Sequence, residues 1–248
     1  MTTVWSYGGG VQSVAMGILI TQRQLPFPDL AVIADTGREA SSTWSYLETV
    51  FQPWLSRLFS VRIDRAPHTL ATVGLYGKNG DLLIPAFTGE GKLPTFCSNE
   101  WKRRVVARWL RKQGVKACDL WLGISLDEIH RMRTGAEPKW MRNRYPLVDL
   151  RLTRADCVAV IERAGLPMPE KSACWMCPHR TNAEWRVLRD RHPSDFMKAV
   201  ALEETIRVND KEQALYLHRA RRPLATVDLD EPETGQTDLF CESGFCWT

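Results

Sequence analysis

The hydrophobic pattern of the first 125 residues alternates short apolar runs with longer segments that are apolar on one face only. Apolar runs of strand length predict β-strands, and the 3.6-residue spacing of apolar positions predicts helices. The predicted strands cover residues 2–7, 29–34, 60–64 and 118–124, and the predicted helices cover 11–22, 42–58 and 99–112. Strict alternation of strand and helix predicts an α/β fold, with a doubly wound parallel sheet and helices on both faces. Ligands of such sheets bind beyond the carboxyl ends of the strands.

The pattern changes after residue 150, where helical periodicity replaces the alternation. Helices are predicted over 153–164, with Thr153 as N-cap, and over 182–191, 193–206 and 211–219. We therefore expect an α/β domain over 1–150 and a helical subdomain over 151–226. Glycines in 74–96 predict a hairpin or flap within the first domain, and the acidic, Pro- and Gly-containing start of 227–248 predicts a mobile linker with a cysteine-containing tail.

Composition narrows the class of protein. Of 248 residues, 44% are hydrophobic and 25% charged, which is typical of globular proteins, and no apolar run approaches the roughly 18 residues of a membrane span. No export signal is visible, so we expect a cytoplasmic protein without a membrane partner. The cysteine count of seven is odd, which disfavours a disulfide framework and favours metal binding or redox chemistry.

A glycine-rich turn follows the first predicted strand and leads directly into the first helix. Its sequence, SYGGGVQS, places Gly8, Gly9 and Gly10 where successive backbone N–H groups can face a phosphate, with the Ser13 hydroxyl beside them. The turn is neither a Walker A motif nor a G-x-G-x-x-G fingerprint. A tight structural turn is the alternative to a phosphate-binding loop.

These residues resemble the PP-loop ATP pyrophosphatases, and within them the branch like phosphoadenosine phosphosulfate (PAPS) reductase. The family's loop, Ser-Gly-Gly-x-Asp-Ser, is similar to residues 8–13, although Gln12 stands at the Asp position. Three further segments, 34–39, 96–102 and 123–131, are similar to family motifs in the same order. The resemblance implies ATP with Mg²⁺, bound by Ser6, Gly8, Gly9, Gly10, Gln12, Ser13, Asp35, Thr36, Gly37, Lys102, Ser125 and Arg131.

The predicted helix over 99–112 is strongly basic. Lys102 lies in its first turn, where the helix dipole favours anions, so a bound phosphate would explain it. The other cations of this helix indicate either a solvated face or contact with nucleic acid. Trp140, in a basic loop over 139–144, is a candidate for stacking on a base or for core packing. The basic residues of the helix are Lys102, Arg103, Arg104, Arg108, Arg111 and Lys112.

A C-x-x-C motif at Cys174 and Cys177 is typical of a metal clasp, a redox pair or two buried thiols. With Cys97, the resemblance implies three ligands of a [4Fe–4S] cluster with one open iron. Zinc is the competing metal, and its fourth ligand could be His179, Cys241 or Cys246. The remaining cysteines, Cys118 and Cys157, lie among apolar neighbours and are expected in the core.

The last nine residues place Cys241 and Cys246 on the predicted tail. The resemblance to PAPS reductases, which use a cysteine near the C-terminus as nucleophile, makes both candidates for catalysis along with Cys97, Cys174 and Cys177. Ligation of a cluster or of zinc, and a resolving dithiol pair, are the alternatives.

The resemblance implies an enzyme that adenylates its substrate with release of pyrophosphate and then transfers sulfur onto nucleic acid, with DNA phosphorothioation as the specific case. A cysteine desulfurase is the expected sulfur donor. The second hypothesis is a reductase of adenylylated sulfate that releases sulfite and uses a thioredoxin-like reductant. A binding module without catalysis, for a nucleotide or a nucleic acid, is the third.

Overall fold

A computed structural model describes residues 1–58, 62–132, 138–209 and 214–231. Its sheet has the strand order β3-β2-β1-β4-β5, and every neighbouring pair of strands is parallel. The predicted fold class, a doubly wound parallel α/β sheet, is therefore confirmed. The strands are β1 (Thr2–Ser6), β2 (Leu30–Ala34), β3 (Ile63–Ala66), β4 (Cys118–Leu122) and β5 (Met141–Arg144).

The helices that connect and follow these strands begin close to where the sequence predicts. Thr153 caps α6, and Thr181 caps α7. In each capping box the threonine hydroxyl accepts a hydrogen bond from the backbone N–H of the third helical residue, and the side chain of that residue accepts one from the threonine N–H. The helices are α1 (Val11–Thr21), α2 (Ser41–Tyr46), α3 (Gln52–Leu58), α4 (Arg104–Lys112), α5 (Pro146–Asp149), α6 (Arg154–Arg163), α7 (Asn182–Arg191) and α8 (Pro193–Asn209). π-Helical turns at Leu47–Phe51 and Ser98–Arg103 precede α3 and α4, and 3₁₀ turns cover His68–Leu70, Leu126–Arg131 and Leu224–Thr226.

The sheet is buried on both faces because successive side chains of a strand point to opposite sides. On one face Trp5 of β1 packs in a core with α1, α3 and α6, and its ring meets Phe51 edge-on at 6.3 Å between centroids. On the other face Val4 packs with Val105 and Val106 of α4. The strand order reverses at β1, which has β2 on one side and β4 on the other. The switch point of the topology therefore lies beyond the carboxyl end of β1.

Two predicted segments differ from the structure. Residues 141–144, predicted as part of a basic loop, form the edge strand β5. Their polar sequence did not predict a strand, because an edge strand needs few apolar residues. The predicted helix over 211–219 is wrong for its described part, where Tyr216 instead forms an antiparallel bridge with Phe87. Residues 211–213 lie outside the described residues, as does most of the linker and tail predicted over 227–248.

The segment predicted as a hairpin or flap, 74–96, is built into a second core. Antiparallel bridges do occur at Tyr76–Leu82 and Phe87–Lys92. However, Leu83 and Ile84 are buried in a cluster with apolar residues of α7 and α8. This segment therefore packs against α7 and α8, and it does not stand away as a free flap.

No helix in the described part of the chain is long and apolar enough to cross a membrane.

Gly17 in α1 offers a test of the packing on one face of the sheet. A Cβ at Gly17 would lie 2.5 Å from Phe51 Cζ and 2.6 Å from Trp5 Cη2. We expect Gly17→Ala to lower the free energy of unfolding by about 1–3 kcal/mol, although alanine has the higher helix propensity. Urea denaturation measures this change.

The control is Gly91→Ala, because a Cβ at Gly91 meets no heavy atom within 4 Å. Its effect should stay within about 0.5 kcal/mol. A stabilising effect of Gly17→Ala would contradict the close packing of α1 on the sheet.

Candidate functional site

The glycine turn predicted to bind phosphate joins β1 to α1. Gly9 has φ +82°, and a Cβ there would lie 2.7 Å from Thr43 Cγ2 and 2.9 Å from Ser172 Oγ, so only glycine fits. Gly10 is the N-cap of α1 and makes no side-chain capping bond, and the first turn carries no acidic residue. Ser13 shapes the turn, since its hydroxyl accepts from the Gly8 amide at 2.8 Å. The amide groups at the start of α1 are thus arranged to meet an anion.

On the β4 side of this loop, Gln12 is held in a polar network. Its side-chain nitrogen donates to Glu128 Oε2 at 3.0 Å, and its oxygen accepts from Arg154 Nη1 at 3.0 Å. Glu128 also accepts from Arg131 at 2.7 Å, and Ser125 is fully buried beside them. The structure therefore brings Gln12, Ser125 and Arg131 together, as the sequence predicts. Their contact with a nucleotide stays a prediction.

On the β2 side, Asp35, Thr36 and Gly37 form a tight turn at the end of the strand. Asp35 Oδ1 accepts from the Gly37 amide at 2.7 Å, and Gly37 has φ +68°. The buried Thr36 hydroxyl accepts from the Arg38 amide at 3.1 Å. Side chains of this turn therefore fix the backbone that leads to the next residue of the site, Glu39.

Lys102, predicted as a phosphate contact, forms a buried ion pair with Glu39. The Nζ to Oε1 distance is 3.0 Å, and the two side chains are 11% and 3% exposed. Burial is the largest single effect on the pKa of Lys102 and lowers it, but Glu39, Cys174 and Cys177 together raise it more, so the net shift is upward. The pair lines a cavity at the carboxyl ends of β1 and β2, together with Ser6, Tyr7, Gly8, Ile33 and Ala34.

The segment that carries the C-x-x-C motif is fastened to the phosphate loop and to the residues after β2. Ser172 Oγ donates a short hydrogen bond to the Gly8 carbonyl. Backbone bonds run from Ala40 N to Ala173 O at 3.1 Å and from Trp175 N to Arg38 O at 2.9 Å. As a result, residues 172–175 are held against the glycine turn and the residues after β2, and we call them the thiol wall.

The buried guanidinium of Arg180 is hydrogen-bonded to the backbone of this wall. Its Nη2 donates to the carbonyls of Ala173 at 3.3 Å and of Cys174 at 3.2 Å. Each of these carbonyls also accepts a backbone N–H, from Ala40 at 3.1 Å and from Cys177 at 3.0 Å, so Arg180 adds a second, charged donor to both. Arg180 therefore fixes the backbone on both sides of Cys174 Cα.

The structure gathers Cys97, Cys174 and Cys177 around Lys102. Cys174 Sγ lies 3.6 Å from Thr36 Oγ1 and 4.0 Å from Glu39 Oε1. Burial raises the pKa of Cys97 to about 12, and the proximity of Cys177 adds to this; burial likewise raises the pKa of Cys174. Lys102 acts in the opposite direction on both thiols, so its charge favours their anionic form.

These thiols do not form a metal-binding set as placed. Among the described residues, no group of three or more His, Cys, Asp and Glu side chains could hold a metal ion. Cys241 and Cys246 lie outside the described residues, so their part in ligation or catalysis stays a prediction. The predicted [4Fe–4S] or zinc site likewise stays a prediction. The two cysteines expected in the core, Cys118 and Cys157, are buried.

The basic helix α4 uses much of its charge within the fold. Arg104 pairs with Glu100 at 2.8 Å, and Arg108 donates to the Leu70 carbonyl at 2.8 Å. Arg111 lies 3.8 Å from the centroid of the Trp140 ring. One face of Trp140 is therefore covered by a cation, and the interpretation of Trp140 as a stacking platform for a base loses its support.

Several residues of the site were not identified from the sequence: Glu39, Ser172, Arg180 and Arg154. Ser172 and Arg180 flank the C-x-x-C motif in the sequence, and this proximity was the signal that could have identified them as residues that hold the motif in place. Glu39 and Arg154 gave no comparable signal, because a charged residue in a loop or in a first helical turn is usually solvated. Only the tertiary structure shows that Glu39 is buried.

Comparison with known proteins found no matching family model and no matching curated protein. Two solved structures are similar in fold. One is the PAPS reductase from Candida auris in a phosphate complex, with TM-score 0.44, 12% identity, 71% of this chain and 82% of that chain covered. The other is the U34-tRNA thiolase NcsA from Methanococcus maripaludis with its [4Fe–4S] cluster, with TM-score 0.45, 13% identity, 83% of this chain and 71% of that chain covered.

Arg180 allows a test of how the thiol-bearing wall is held. We expect Arg180→Met to lower the free energy of unfolding by about 1–3 kcal/mol, because two carbonyls each lose a charged donor and keep only their backbone hydrogen bond. We also expect faster alkylation of Cys174 by iodoacetamide, followed by peptide mass spectrometry.

Arg186→Met is the matched control, because Arg186 lies on α7 and forms an exposed ion pair with Asp230. Exposed pairs contribute about 0–1 kcal/mol, and the alkylation rate should not change. Equal alkylation rates in the two variants would refute the role of Arg180 in positioning Cys174.

Proposed function

We propose that this protein is a PP-loop ATP pyrophosphatase that adenylates its substrate and then transfers sulfur onto nucleic acid, with DNA phosphorothioation as the specific reaction. The observation that carries the proposal is the hydrogen bond from Ser172 to Gly8. This bond holds the C-x-x-C segment against the glycine turn, which we propose binds phosphate. A nucleotide-binding site alone does not need thiols in its wall, whereas sulfur transfer through an adenylated intermediate does.

The loop supplies the first half of this reaction. Amide groups at the start of α1 and the Lys102 ammonium would bind the phosphates of ATP and stabilise charge as the α-phosphorus is attacked. Mg²⁺ bound with ATP would offset the remaining phosphate charge. An oxygen of the substrate forms the new bond to phosphorus, and pyrophosphate leaves.

The thiols supply the second half. A terminal sulfur carried on Cys174 as a persulfide would attack the adenylated centre and displace AMP. Cys177 would then attack the resulting disulfide, release the thiolated product and leave a Cys174–Cys177 disulfide for a thiol reductant. A cysteine desulfurase is the proposed source of the sulfur. Lys102 favours the anionic form of the Cys174 sulfur in this buried wall.

Nucleic acid needs a basic surface near the thiols, and we propose Lys92, Lys171 and Arg219 as this basic face. Burial lowers the pKa of His179, two residues after Cys177, to about 4, and the charges of these three residues act in the same direction. Lys171 Nζ donates to the His179 carbonyl at 3.3 Å. A phosphate backbone bound here would pass the mouth of the thiol wall.

The proposed reaction predicts release of AMP and pyrophosphate that depends on nucleic acid. With ATP, Mg²⁺, a sulfur donor and DNA, wild-type protein should form both products. Cys174→Ser should still release pyrophosphate but should lose sulfur incorporation by at least about a hundredfold, because it lacks the sulfur carrier. Chromatography of nucleotides and mass spectrometry of digested DNA measure the two steps.

Cys118→Ala is the control, since Cys118 is buried in β4 away from this site, and it should retain both steps. Replacing DNA with tRNA tests the other class of nucleic acid. Release of sulfite from adenylylated sulfate, without ATP turnover, would instead support the reductase. Iron and acid-labile sulfide lost on Cys174→Ser would support a cluster over a persulfide.

The basic face predicts where nucleic acid binds. Lys92→Glu should weaken binding of a short DNA duplex several-fold and reduce the slope of log Kd against log salt concentration by about 1–2, because one phosphate contact is lost and one repulsion is added. Fluorescence anisotropy across a salt series measures both quantities.

Lys112→Glu makes the same change of charge on α4, where the sequence alone placed the nucleic-acid contact. This variant should bind like the wild-type protein. A larger loss for Lys112→Glu than for Lys92→Glu would move the interface to α4 and refute the basic face.

A further inference from the structure

Glu39 has a buried oxygen that the mechanism above does not use. Its Oε1 atom pairs with Lys102, whereas its Oε2 atom is buried and has no hydrogen-bond partner within the described part of the chain. The side chain is only 3% exposed. A buried carboxylate oxygen without a donor is costly, and such atoms in folded proteins call for an explanation.

The position of Glu39 indicates what could supply the donor. Glu39 lines the cavity at the carboxyl ends of β1 and β2, and Gly8, the first glycine of the phosphate loop, lines it as well. The cavity has room for about one hydroxyl-sized group, and such a group would lie next to phosphates bound at the loop. In a nucleotide, the sugar is the part bonded directly to the α-phosphate, while the amino group of the base is several bonds further away.

A carboxylate is well suited to a sugar hydroxyl because it accepts hydrogen bonds and donates none. Acidic side chains bind ribose hydroxyls in this way in dinucleotide-binding folds. Lys102 holds Oε1 of Glu39 at 3.0 Å, which leaves Oε2 for the ligand. The same pair can thus face a phosphate with its cation and a hydroxyl with its anion.

We propose that Glu39 is a specificity residue that accepts a hydrogen bond from a ribose hydroxyl of the nucleotide and so selects ribonucleotides over deoxyribonucleotides. This inference rests on the proposed function, since it assumes that ATP binds at the phosphate loop. It adds a contact that neither the loop motif nor the comparisons assign.

The test compares ATP with 2′-deoxy-ATP and 3′-deoxy-ATP by isothermal titration calorimetry on the wild-type protein. At least one deoxy analogue should bind about tenfold or more weakly than ATP, because it leaves the buried Glu39 oxygen without a donor. This ratio requires no variant and does not depend on how well any variant folds.

A double variant, Glu39→Gln with Lys102→Met, removes both charges and avoids leaving a buried lysine unpaired. The double variant should bind ATP more weakly than the wild-type protein does. It should also bind ATP only about one to three times as tightly as it binds the deoxy analogue. Glu100→Gln is the matched control, because Glu100 pairs with Arg104 on the neighbouring helix, and it should keep the wild-type ratio.

The outcomes separate the inference from the proposed function. Tight and equal binding of all three nucleotides by the wild-type protein would refute the role of Glu39 and would leave the proposed function standing. A water molecule would then be the donor to the Glu39 Oε2 atom. Discrimination that survives in the double variant would also refute it. Absence of any nucleotide binding would overturn both.

Discussion

The buried ion pair between Lys102 and Glu39 is the interaction on which the candidate site depends. Lys102 comes from the π-helical turn before α4, and Glu39 from the loop after β2. Removing two charges from water is costly, and the attraction between them compensates only when the geometry is good. The residues around the pair are therefore held firmly: the turn after β2 is fixed by Asp35 and Gly37, and the backbone of Glu39 forms a bridge with that of Cys174. The cleft owes its shape to this requirement.

The pair also governs the thiols. Burial keeps Cys97 and Cys174 protonated, and the Lys102 charge opposes this effect on both. While Glu39 neutralises Lys102, the opposing effect is weak, and the thiols rest in their unreactive form. An anionic nucleotide that changes the contacts of Lys102 would therefore change the field at Cys174 as well. In the proposed function, one ammonium group would thus couple nucleotide binding to thiol chemistry.

Much of the fold and part of the site could be predicted from the sequence, and the reason is local. The caps at Thr153 and Thr181, the alternation of strands and helices, and the glycine turn are encoded within a few residues. The edge strand β5, the burial of Leu83 and Ile84, and the ion pair of Glu39 are not, since each depends on partners distant in sequence. A charge such as that of Glu39 is exposed in most sequences with this pattern, so only the tertiary fold reveals its burial.

The two sides of the phosphate loop differ in charge and so in the work each can do. On the β4 side, Gln12 occupies the position where the PP-loop motif has a carboxylate, and its neutral amide links Glu128 to Arg154. The charges there are satisfied by one another, and an amide is a poorer ligand for Mg²⁺ than a carboxylate. On the β2 side, Glu39 retains an unpaired oxygen and Lys102 faces the cavity. The carboxylate missing from the loop thus has a counterpart across the cleft, beside the thiols. In the proposed function, nucleotide recognition and sulfur chemistry would therefore lie on the β2 side, and the β4 side would fix the loop.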